Sequence, residues 1–277
     1  MKGLTGKNVL VTGGSSGIGQ AIAIRFGQEG ANVAINYRKG LAEAQSTEMA
    51  IHEAMDKAVD SCMSQMRESG VKTLLVQADV SQEVDVQRMF QETIESLGGI
   101  DILVNNAGFQ IPGESHEISV ESFDRVLATN LRGAFISAQL AIRHFLAENK
   151  AGVIINVSSV HQLIPKPRFL SYSVSKGGMQ NLTRTLALEY AGRGIRVNGI
   201  GPGATVTPIN RAWIDDPEKR AQVVSHIPMG RAADAEEMGA ITAFLSSDEA
   251  AYITGQTIFV DGGLTLFADF RTAWSSE

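Results

Sequence analysis

The sequence predicts an α/β fold: a single doubly wound parallel sheet flanked by helices on both faces. Short, nearly continuous apolar runs, typical of strands buried on both faces, alternate with helical patterns along the chain. Such alternation gives right-handed crossovers and an open sheet, whose ligands bind beyond the carboxyl ends of the strands. Because no Pro/Ser-rich linker and no internal repeat interrupts the pattern, we predict one domain over residues 1–277.

The predicted elements follow one another in a regular order. The predicted strands are Asn8–Thr12, Ala31–Asn36, Leu74–Ala78, Ile102–Asn105, Gly152–Val157, Arg196–Ile200 and Thr257–Val260. The predicted helices are Gln20–Phe26, Val84–Ser96, Ser122–Leu146 and Ser173–Ala191.

The segment between the second and third strands is longer than a crossover requires. It runs for 37 residues, from Tyr37 to Thr73. A helical stripe within it predicts an extended helical insertion at about 41–70; the stripe consists of Ile51, Met55, Ala58, Cys62 and Met66. This helix either packs on the sheet or on its own neighbour, or it forms a Met-rich docking surface for another subunit or protein.

Composition restricts the class of protein. Hydrophobic residues make up 44% of the chain and charged residues 19%, which excludes disorder of the whole chain. The net charge of −6 argues against nucleic acid or an anionic membrane as a partner. Cys62 is the sole cysteine, so we expect no intrachain disulfide and no thiol-based metal cluster, and we predict no metal-binding residues. Without a signal peptide pattern or an apolar run of ~20 residues, we expect a cytoplasmic protein.

A glycine-rich turn follows the first strand. Glycines there let the backbone turn sharply and approach a pyrophosphate, whose charge is met by the amino end of the next helix. The spacing G-x-x-x-G-x-G differs from G-x-G-x-x-G and is not a Walker loop, and a purely structural turn is the alternative. The residues that we predict to bind a dinucleotide here are Gly13, Ser15, Ser16, Gly17, Ile18 and Gly19.

We predict that residues at the ends of the second and third strands bind the adenosine half of a dinucleotide. Folds selective for NAD place an acid after the second strand, but Asn36-Tyr37-Arg38 contains none. Arg38 instead suits a 2′-phosphate and favours NADP, unless it is simply a solvated arginine. Asp79, followed by Val80, accepts a hydrogen bond from an adenine amino group or caps the following helix.

Two further strand ends carry small or polar residues. Asn106, Ala107 and Gly108 follow the fourth strand and let the backbone lie close to a ribose. Ser158 and Ser159 end the fifth strand at the same edge of the sheet.

One amide lies where an apolar residue is expected. Asn130 falls within an apolar helical pattern, where a buried amide needs partners. The alternative to a functional role is a helix kink satisfied by water.

Tyr172 and Lys176 are four residues apart and share one face of a predicted helix. A phenol titrates near pH ~10, and a neighbouring ammonium favours its ionised form, which suits general base catalysis. The same spacing arises by chance in many exposed helices.

These motifs together resemble the short-chain dehydrogenase/reductase family from about Asn8 to Gly263. The resemblance implies a Rossmann-type fold and a catalytic tetrad of Asn130, Ser159, Tyr172 and Lys176. In that family the tyrosine takes the substrate proton, the lysine binds the nicotinamide ribose, the serine holds the reacting oxygen, and the asparagine holds a water linked to the lysine. The resemblance also implies dinucleotide contacts from Tyr172, Lys176, Pro202, Gly203 and Thr207.

A closer resemblance is to the bacterial glucose 1-dehydrogenases, on the stretches Ser158–His161, Ile164-Pro165, Lys176–Met179, Gly201–Ala204, Thr207–Asn210 and Ile227–Gly230. It implies oxidation at C1 of glucose or a related aldose, with NADP slightly favoured over NAD. Ser159, His161, Tyr172 and Asn210 would contact the sugar. Two positions depart from that group: Gln110 stands in place of a glutamate, and Lys166 in place of a tryptophan.

Two other functions remain open at this point. One is an NADPH-dependent carbonyl or 3-oxoacyl reductase of the same family; the other is a catalytically silent cofactor-binding interaction protein. The family resemblance implies a homotetramer acting on a small-molecule substrate.

Overall fold

The computed structural model describes residues 1–62 and 70–266, with the backbone alone for 55–62 and for 209. Within these ranges one sheet contains seven parallel strands in the order β3-β2-β1-β4-β5-β6-β7. Strand order reverses between β1 and β4, where a doubly wound sheet opens a crevice for ligands. The strands are β1 (Asn8–Val11), β2 (Asn32–Tyr37), β3 (Thr73–Gln77), β4 (Ile102–Asn105), β5 (Gly152–Val157), β6 (Ile195–Pro202) and β7 (Thr257–Val260).

Helices cover both faces of the sheet, as the sequence predicts. The helices of the described residues are α1 (Gly17–Gln28), α2 (Leu41–Cys62), α3 (Glu83–Leu97), α4 (Val120–Leu127), α5 (Gly133–Ala147), α6 (Leu170–Tyr190), α7 (Arg211–Ile214), α8 (Pro217–Ser225) and α9 (Ala235–Ser246).

Two apolar clusters hold the layers together, because alternate strand residues point to opposite faces. Leu10 faces a cluster with α3, α5 and α6. Val9 and Val11 face the other cluster, with α1, α2 and α9. The predicted fold class is therefore confirmed.

The predicted helix Ser122–Leu146 is interrupted. A π-helical turn, Ala128–Arg132, separates α4 from α5, and the buried Asn130 lies within it. Such turns insert an extra residue into a helix and often occur at functional sites. The apolar periodicity of the sequence conceals this interruption.

Sequence periodicity also missed the helices that follow β6. One of them, α9, has a recognisable start, since Asp234 and Glu237 form a capping box at its amino end. It packs on α1 so closely that a Cβ at Gly239 would lie 2.8 Å from the Ala21 carbonyl oxygen.

The long segment after β2 begins with α2, whose Ile51 is fully buried against Gly27 of α1. The other members of the predicted stripe, Met55, Ala58, Cys62 and Met66, lie outside the side chains that are described. In the described ranges, no helix combines the length and apolarity that crossing a membrane requires.

Candidate active site and cofactor cleft

The predicted site residues lie at the carboxyl edge of the sheet. They follow β1 (Gly13, Ser15, Ser16, Gly17, Ile18, Gly19), β2 (Arg38), β3 (Asp79, Val80), β4 (Asn106, Ala107, Gly108) and β5 (Ser159, His161). Those at the end of β6 and beyond are Pro202, Gly203, Thr207 and Asn210, and α6 carries Tyr172 and Lys176.

The turn between β1 and α1 has a geometry that requires glycine. Gly13 and Gly17 adopt φ of 62° and 55°, in the left-handed region that glycine tolerates best. A Cβ added at Gly19 would collide with the Gly13 carbonyl oxygen and the Asn106 side chain. The turn is therefore compact, and its backbone lies open to a ligand at the amino end of α1.

Three buried or partly buried polar side chains fix this turn. The Thr12 hydroxyl accepts from the backbone N–H groups of Asn106 (2.9 Å) and Ala107 (3.1 Å). The Asn106 amide donates to the carbonyls of Thr12 and Gly13, each at 3.0 Å. The Asn36 side-chain oxygen accepts from the Gly13 N–H at 3.1 Å. The ends of β1, β2 and β4 are thereby held as one unit.

The Asn36 side chain also connects β2 to β3. Its amide donates to the carbonyls of Val76 (3.2 Å) and Ala78 (3.1 Å). Sequence reasoning missed Thr12 and Asn36 as supports of the site. Their signal was a polar residue ending an otherwise apolar strand.

The turn fits the pyrophosphate of a dinucleotide. Ser16 precedes α1 in an extended conformation without a side-chain capping bond, so the first N–H groups of the helix remain available to an anion. A Cβ added at Gly17 would lie 3.4 Å from the Thr207 side chain. The loop after β6 thus closes on the same turn.

Arg38 and Asp79 meet at the adenosine end of the cleft. The Arg38 guanidinium lies 3.8 Å from the Asp79 carboxylate, and its side chain is 55% exposed. The other Asp79 oxygen accepts from the Ser81 N–H at 2.9 Å, whereas the residue that precedes α3 is Gln82. Asp79 thus stabilises the turn before the helix rather than serving as its N-cap.

Lys176 is buried behind Tyr172. Its side chain is 3% exposed and its ammonium donates to the Val157 carbonyl at 2.7 Å, 5.6 Å from the centre of the Tyr172 ring. Burial disfavours the charged form and lowers the pKa of Lys176 to about 8.

Two opposing effects act on the ionisation of Tyr172. Burial raises the pKa of the phenol above its ordinary value, and a hydrogen bond with Ser159 partly opposes that rise. The Lys176 ammonium, which the sequence predicts to favour the phenolate, donates here to the Val157 carbonyl.

Ser159 and His161 face Tyr172 from the turn after β5. The Ser159 hydroxyl accepts from the His161 N–H at 3.1 Å. The His161 ring lies edge-on to the Tyr172 ring, with 6.1 Å between centres and 76° between planes. His161 Nδ1 lies 2.9 Å from the Ile164 carbonyl oxygen. Burial lowers the pKa of His161, so the neutral ring is favoured.

The Asn130 side chain forms hydrogen bonds to both backbone groups of Phe109 and to Ser175. Its side-chain oxygen accepts from the Phe109 N–H (3.0 Å), and its nitrogen donates to the Phe109 carbonyl (2.9 Å) and to Ser175 Oγ (3.2 Å). Ser175 in turn donates to the Tyr172 carbonyl at 2.7 Å. The amide hydrogens are therefore engaged by protein groups, and Ser175, which sequence reasoning passed over, joins the π-helical turn to α6.

Asn210 also serves its own loop. Its amide donates to the Thr205 carbonyl (2.8 Å) and to Thr207 Oγ1 (3.2 Å). The sugar contact predicted for Asn210 would have to use its side-chain oxygen.

Pro202 ends β6, and a Cβ at Gly203 would lie 2.8 Å from Asp261 Cα. Small size at Gly203 therefore lets the loop leave the sheet beside the segment that follows β7.

Two loops near the site, one after β4 and one before α6, contact each other. We name them the rim loops: residues 109–118 after β4 and residues 163–169 before α6. The Gly113 N–H donates to the Arg168 carbonyl at 2.9 Å, and Arg168 Nε lies 3.2 Å from the Glu114 carboxylate. Gln110 and Lys166, the two positions that depart from the glucose 1-dehydrogenases, lie on these loops. Within the described residues, no group of three His, Cys, Asp or Glu side chains is arranged to hold a metal ion.

Comparisons with known proteins agree with this geometry. A family model described as enoyl-(acyl carrier protein) reductase matches residues 12–265. A glucose 1-dehydrogenase of Gluconobacter oxydans is 49% identical over 271 residues, covering 98% of this chain and 96% of that protein. A 3β-hydroxysteroid dehydrogenase of Eggerthella lenta is 48% identical over 268 residues, covering 97% of each chain.

A solved structure extends the agreement to three dimensions. The 3-ketoacyl-(acyl-carrier-protein) reductase of Brucella melitensis, determined with NADH, has a TM-score of 0.83 and 34% identity, over 95% of this chain and 100% of that one. Fold, motifs and relatives agree, and the chain belongs to the short-chain dehydrogenase/reductase family of NAD(P)-dependent oxidoreductases.

Proposed function

We propose that the enzyme transfers hydride between NAD(P) and a hydroxyl group of a sugar, at C1 of glucose or a related aldose. The observation that carries this proposal is the arrangement of His161 beside Tyr172. A carbonyl oxygen only accepts hydrogen bonds, so the contact with Ile164 makes Nδ1 the protonated nitrogen of the neutral ring. Nε2 is then an acceptor, and an acceptor near the reacting phenol suits a substrate that carries several hydroxyl groups.

The catalytic roles follow from position and chemistry. Tyr172 accepts the proton of the substrate hydroxyl, and Ser159 hydrogen-bonds the same oxygen. Lys176 supplies positive charge behind the phenol and favours its ionised form once its ammonium turns from the Val157 carbonyl. NAD(P)+, when bound, accepts the hydride from the carbon that is oxidised. Asn130 holds Phe109 and, through Ser175, the start of α6.

Cofactor binding is assigned to the groups around the glycine turn. The amino end of α1 faces the pyrophosphate, with Gly13, Ser15, Ser16, Gly17, Ile18 and Gly19 around it. Arg38 takes a 2′-phosphate, and Asp79 and Val80 border the adenine. Asn106, Ala107 and Gly108 would contact a ribose, and Pro202, Gly203 and Thr207 would hold the nicotinamide end. The exposed guanidinium of Arg38 favours NADP.

The relative from Gluconobacter oxydans supports the choice of glucose. Initial rates on glucose, galactose and xylose with NAD and with NADP test it directly. We expect reduction of the nicotinamide with at least one of these aldoses. If purified enzyme reduces neither cofactor with any of them, the sugar assignment is wrong.

A second candidate is reduction of an apolar ketone or a 3-oxoacyl thioester. It is favoured by Leu163, which is 56% exposed on the turn that also carries His161 and would suit an apolar substrate. The relatives that act on a steroid and on a 3-ketoacyl group agree with it. Oxidation of NADPH by ketones and 3-oxoacyl thioesters, with no rate on sugars, would favour this candidate.

We also propose a homotetramer. Apolar side chains on the outer faces of α5 and α6 are exposed in one chain, with Leu188 at 88% and Phe135 at 45%. Light scattering measures the mass in solution, and a monomer would overturn the proposal.

A further inference from the structure

Lys166 lies on the rim loop before α6, and none of the described carboxylates pairs with it. Its loop carries two cations, and their surroundings differ. The charge of Arg168 is met by Glu114 across the rim loops. Among the described side chains, those of residues 1–54 and 70–266 apart from 209, no carboxylate lies within 4 Å of the Lys166 ammonium.

The ammonium of Lys166 is nevertheless held in place. It lies 4.3 Å from the centre of the Phe169 ring, in a cation–π contact. Such a contact positions a cation without neutralising it. The Phe169 ring therefore fixes the position of the Lys166 charge on its loop.

A short chain of contacts connects Lys166 to the reacting group. Ile164, two residues before Lys166, binds His161, and the His161 ring stacks edge-on against Tyr172. Lys166 is also close enough for its charge to lower the pKa of His161, although burial has the larger effect. The cation therefore lies near His161, whose ring packs against the reacting Tyr172.

We propose that Lys166 binds an anionic group of the substrate, a carboxylate or a phosphate, several bonds away from the hydroxyl that is oxidised. The inference rests on the proposed function, and it names the substrate class. For an aldose oxidised at C1, the natural position of the anion is C6. The reaction is unchanged: Tyr172 accepts the hydroxyl proton, the bound nicotinamide would accept the hydride from C1, and the product is a lactone.

The test compares three aldoses that share C1 chemistry and differ at C6: glucose, glucuronate and glucose 6-phosphate. With the full chain and saturating NADP, we expect kcat/KM for at least one anionic aldose to exceed that for glucose by about 10-fold, since a charge-assisted hydrogen bond is worth roughly 1.5–3 kcal/mol. A carboxylate preference indicates a sugar acid, and a phosphate preference indicates a sugar phosphate.

Variants assign the preference to Lys166. In Lys166→Met the ratio of anionic to neutral substrate should fall to about 1, whereas Lys166→Arg should keep most of it. Lys72→Met, which removes an exposed lysine far from the cleft, is the matched control and should keep the full ratio. An unchanged ratio in Lys166→Met would overturn the assignment.

Thermal stabilisation by the same three sugars in the presence of NADP gives a readout that does not need turnover. We expect a larger shift with an anionic sugar than with glucose, and loss of the difference in Lys166→Met. Absence of turnover with all three sugars would count against the proposed function, while the thermal shifts still decide the role of Lys166. No anion preference in either measurement overturns the inference.

Discussion

The glycine turn and the rim loops both follow the carboxyl ends of strands, but their side chains are engaged differently. Around the turn, Thr12, Asn36 and Asn106 form hydrogen bonds with backbone groups of neighbouring strands. On the rim, the side chains of Lys166 and Leu163 are exposed to solvent. The glycine turn therefore fixes the position of a bound dinucleotide. The residues of the rim loops can differ between enzymes that act on different substrates.

Backbone geometry follows the same division. The positive φ angles of the turn fall on glycines, where they cost little. On the rim, Arg168 adopts a φ of 69°, which an arginine rarely does, and the Gly113 and Glu114 contacts hold it there. The rim is thus shaped by contacts between loops rather than by a strand end.

The largest effect should come from Tyr172→Phe. Without the phenol oxygen, turnover should fall by about 1,000-fold, within the range for loss of a general base. Titration with NADPH, followed by the fluorescence of its reduced nicotinamide, should give an unchanged Kd, because the glycine turn remains intact. Tyr190→Phe, at the far end of the same helix, is the control and should keep full activity.

Loss of cofactor binding in Tyr172→Phe would show that cofactor binding depends on Tyr172 as well as on the glycine turn. Retained turnover would contradict the catalytic assignment itself.

Gly19→Ala should distort the glycine turn and weaken cofactor binding. The new methyl group collides with the Gly13 carbonyl oxygen, and relieving such overpacking costs typically about 1–3 kcal/mol. We expect the Kd for NADP to rise by roughly 100-fold, since each 1.4 kcal/mol is tenfold. Gly192→Ala, where no atom lies within 4 Å of the added Cβ, is the control. An unaltered Kd would mean that the turn can open without cost.

The same division explains what the sequence predicts and what it does not. The glycine turn, the Tyr172–Lys176 pair and the strand ends are local patterns, so the sheet and the reaction type follow from them. Asn130 was recognised as an anomaly, but its hydrogen bonds to Phe109 join residues 21 apart in sequence, which no periodicity reports.

Long-range partners also hid the support of the glycine turn. Asn36 bonds to β3 and to Gly13 at once, and neither partner is adjacent to it in sequence. The surroundings of Lys176 are hidden for a related reason: spacing places Lys176 on the same helix face as Tyr172 but does not reveal that its ammonium binds the Val157 carbonyl.

The lowered pKa of Lys176 predicts how the stability of the fold depends on pH. Its pKa is about 8 in the fold against 10.5 ordinarily, so the unfolded chain holds this proton to higher pH than the folded chain does. Stability therefore rises with pH between these values, because the unfavourable burial of the charge is relieved. Relative to Lys176→Met, the wild type should gain about 2 kcal/mol between pH 7 and pH 9.5, or roughly 30-fold in the unfolding constant.

Urea unfolding of both proteins at the two pH values measures this difference. Lys72→Met should follow the wild type at both. Parallel pH dependence of wild type and Lys176→Met would contradict the lowered pKa of Lys176.

Arg38→Ala should have the smallest effect of these substitutions. Arg38 has an exposed side chain, but its backbone follows β2, one of the strand ends held together around the glycine turn. Its guanidinium is 55% exposed and lies 3.8 Å from Asp79, so it is available to a 2′-phosphate. Its backbone carbonyl, which accepts from Gln77, is unaffected by the substitution. We expect KM for NADP to rise by about 10-fold, a modest value for a solvated charged contact, and KM for NAD to stay unchanged. Lys39→Ala removes the neighbouring exposed cation and should leave both values alone. Equal losses with both cofactors would instead assign Arg38 to the adenine or the ribose, and the cofactor preference would then have to arise elsewhere in the cleft.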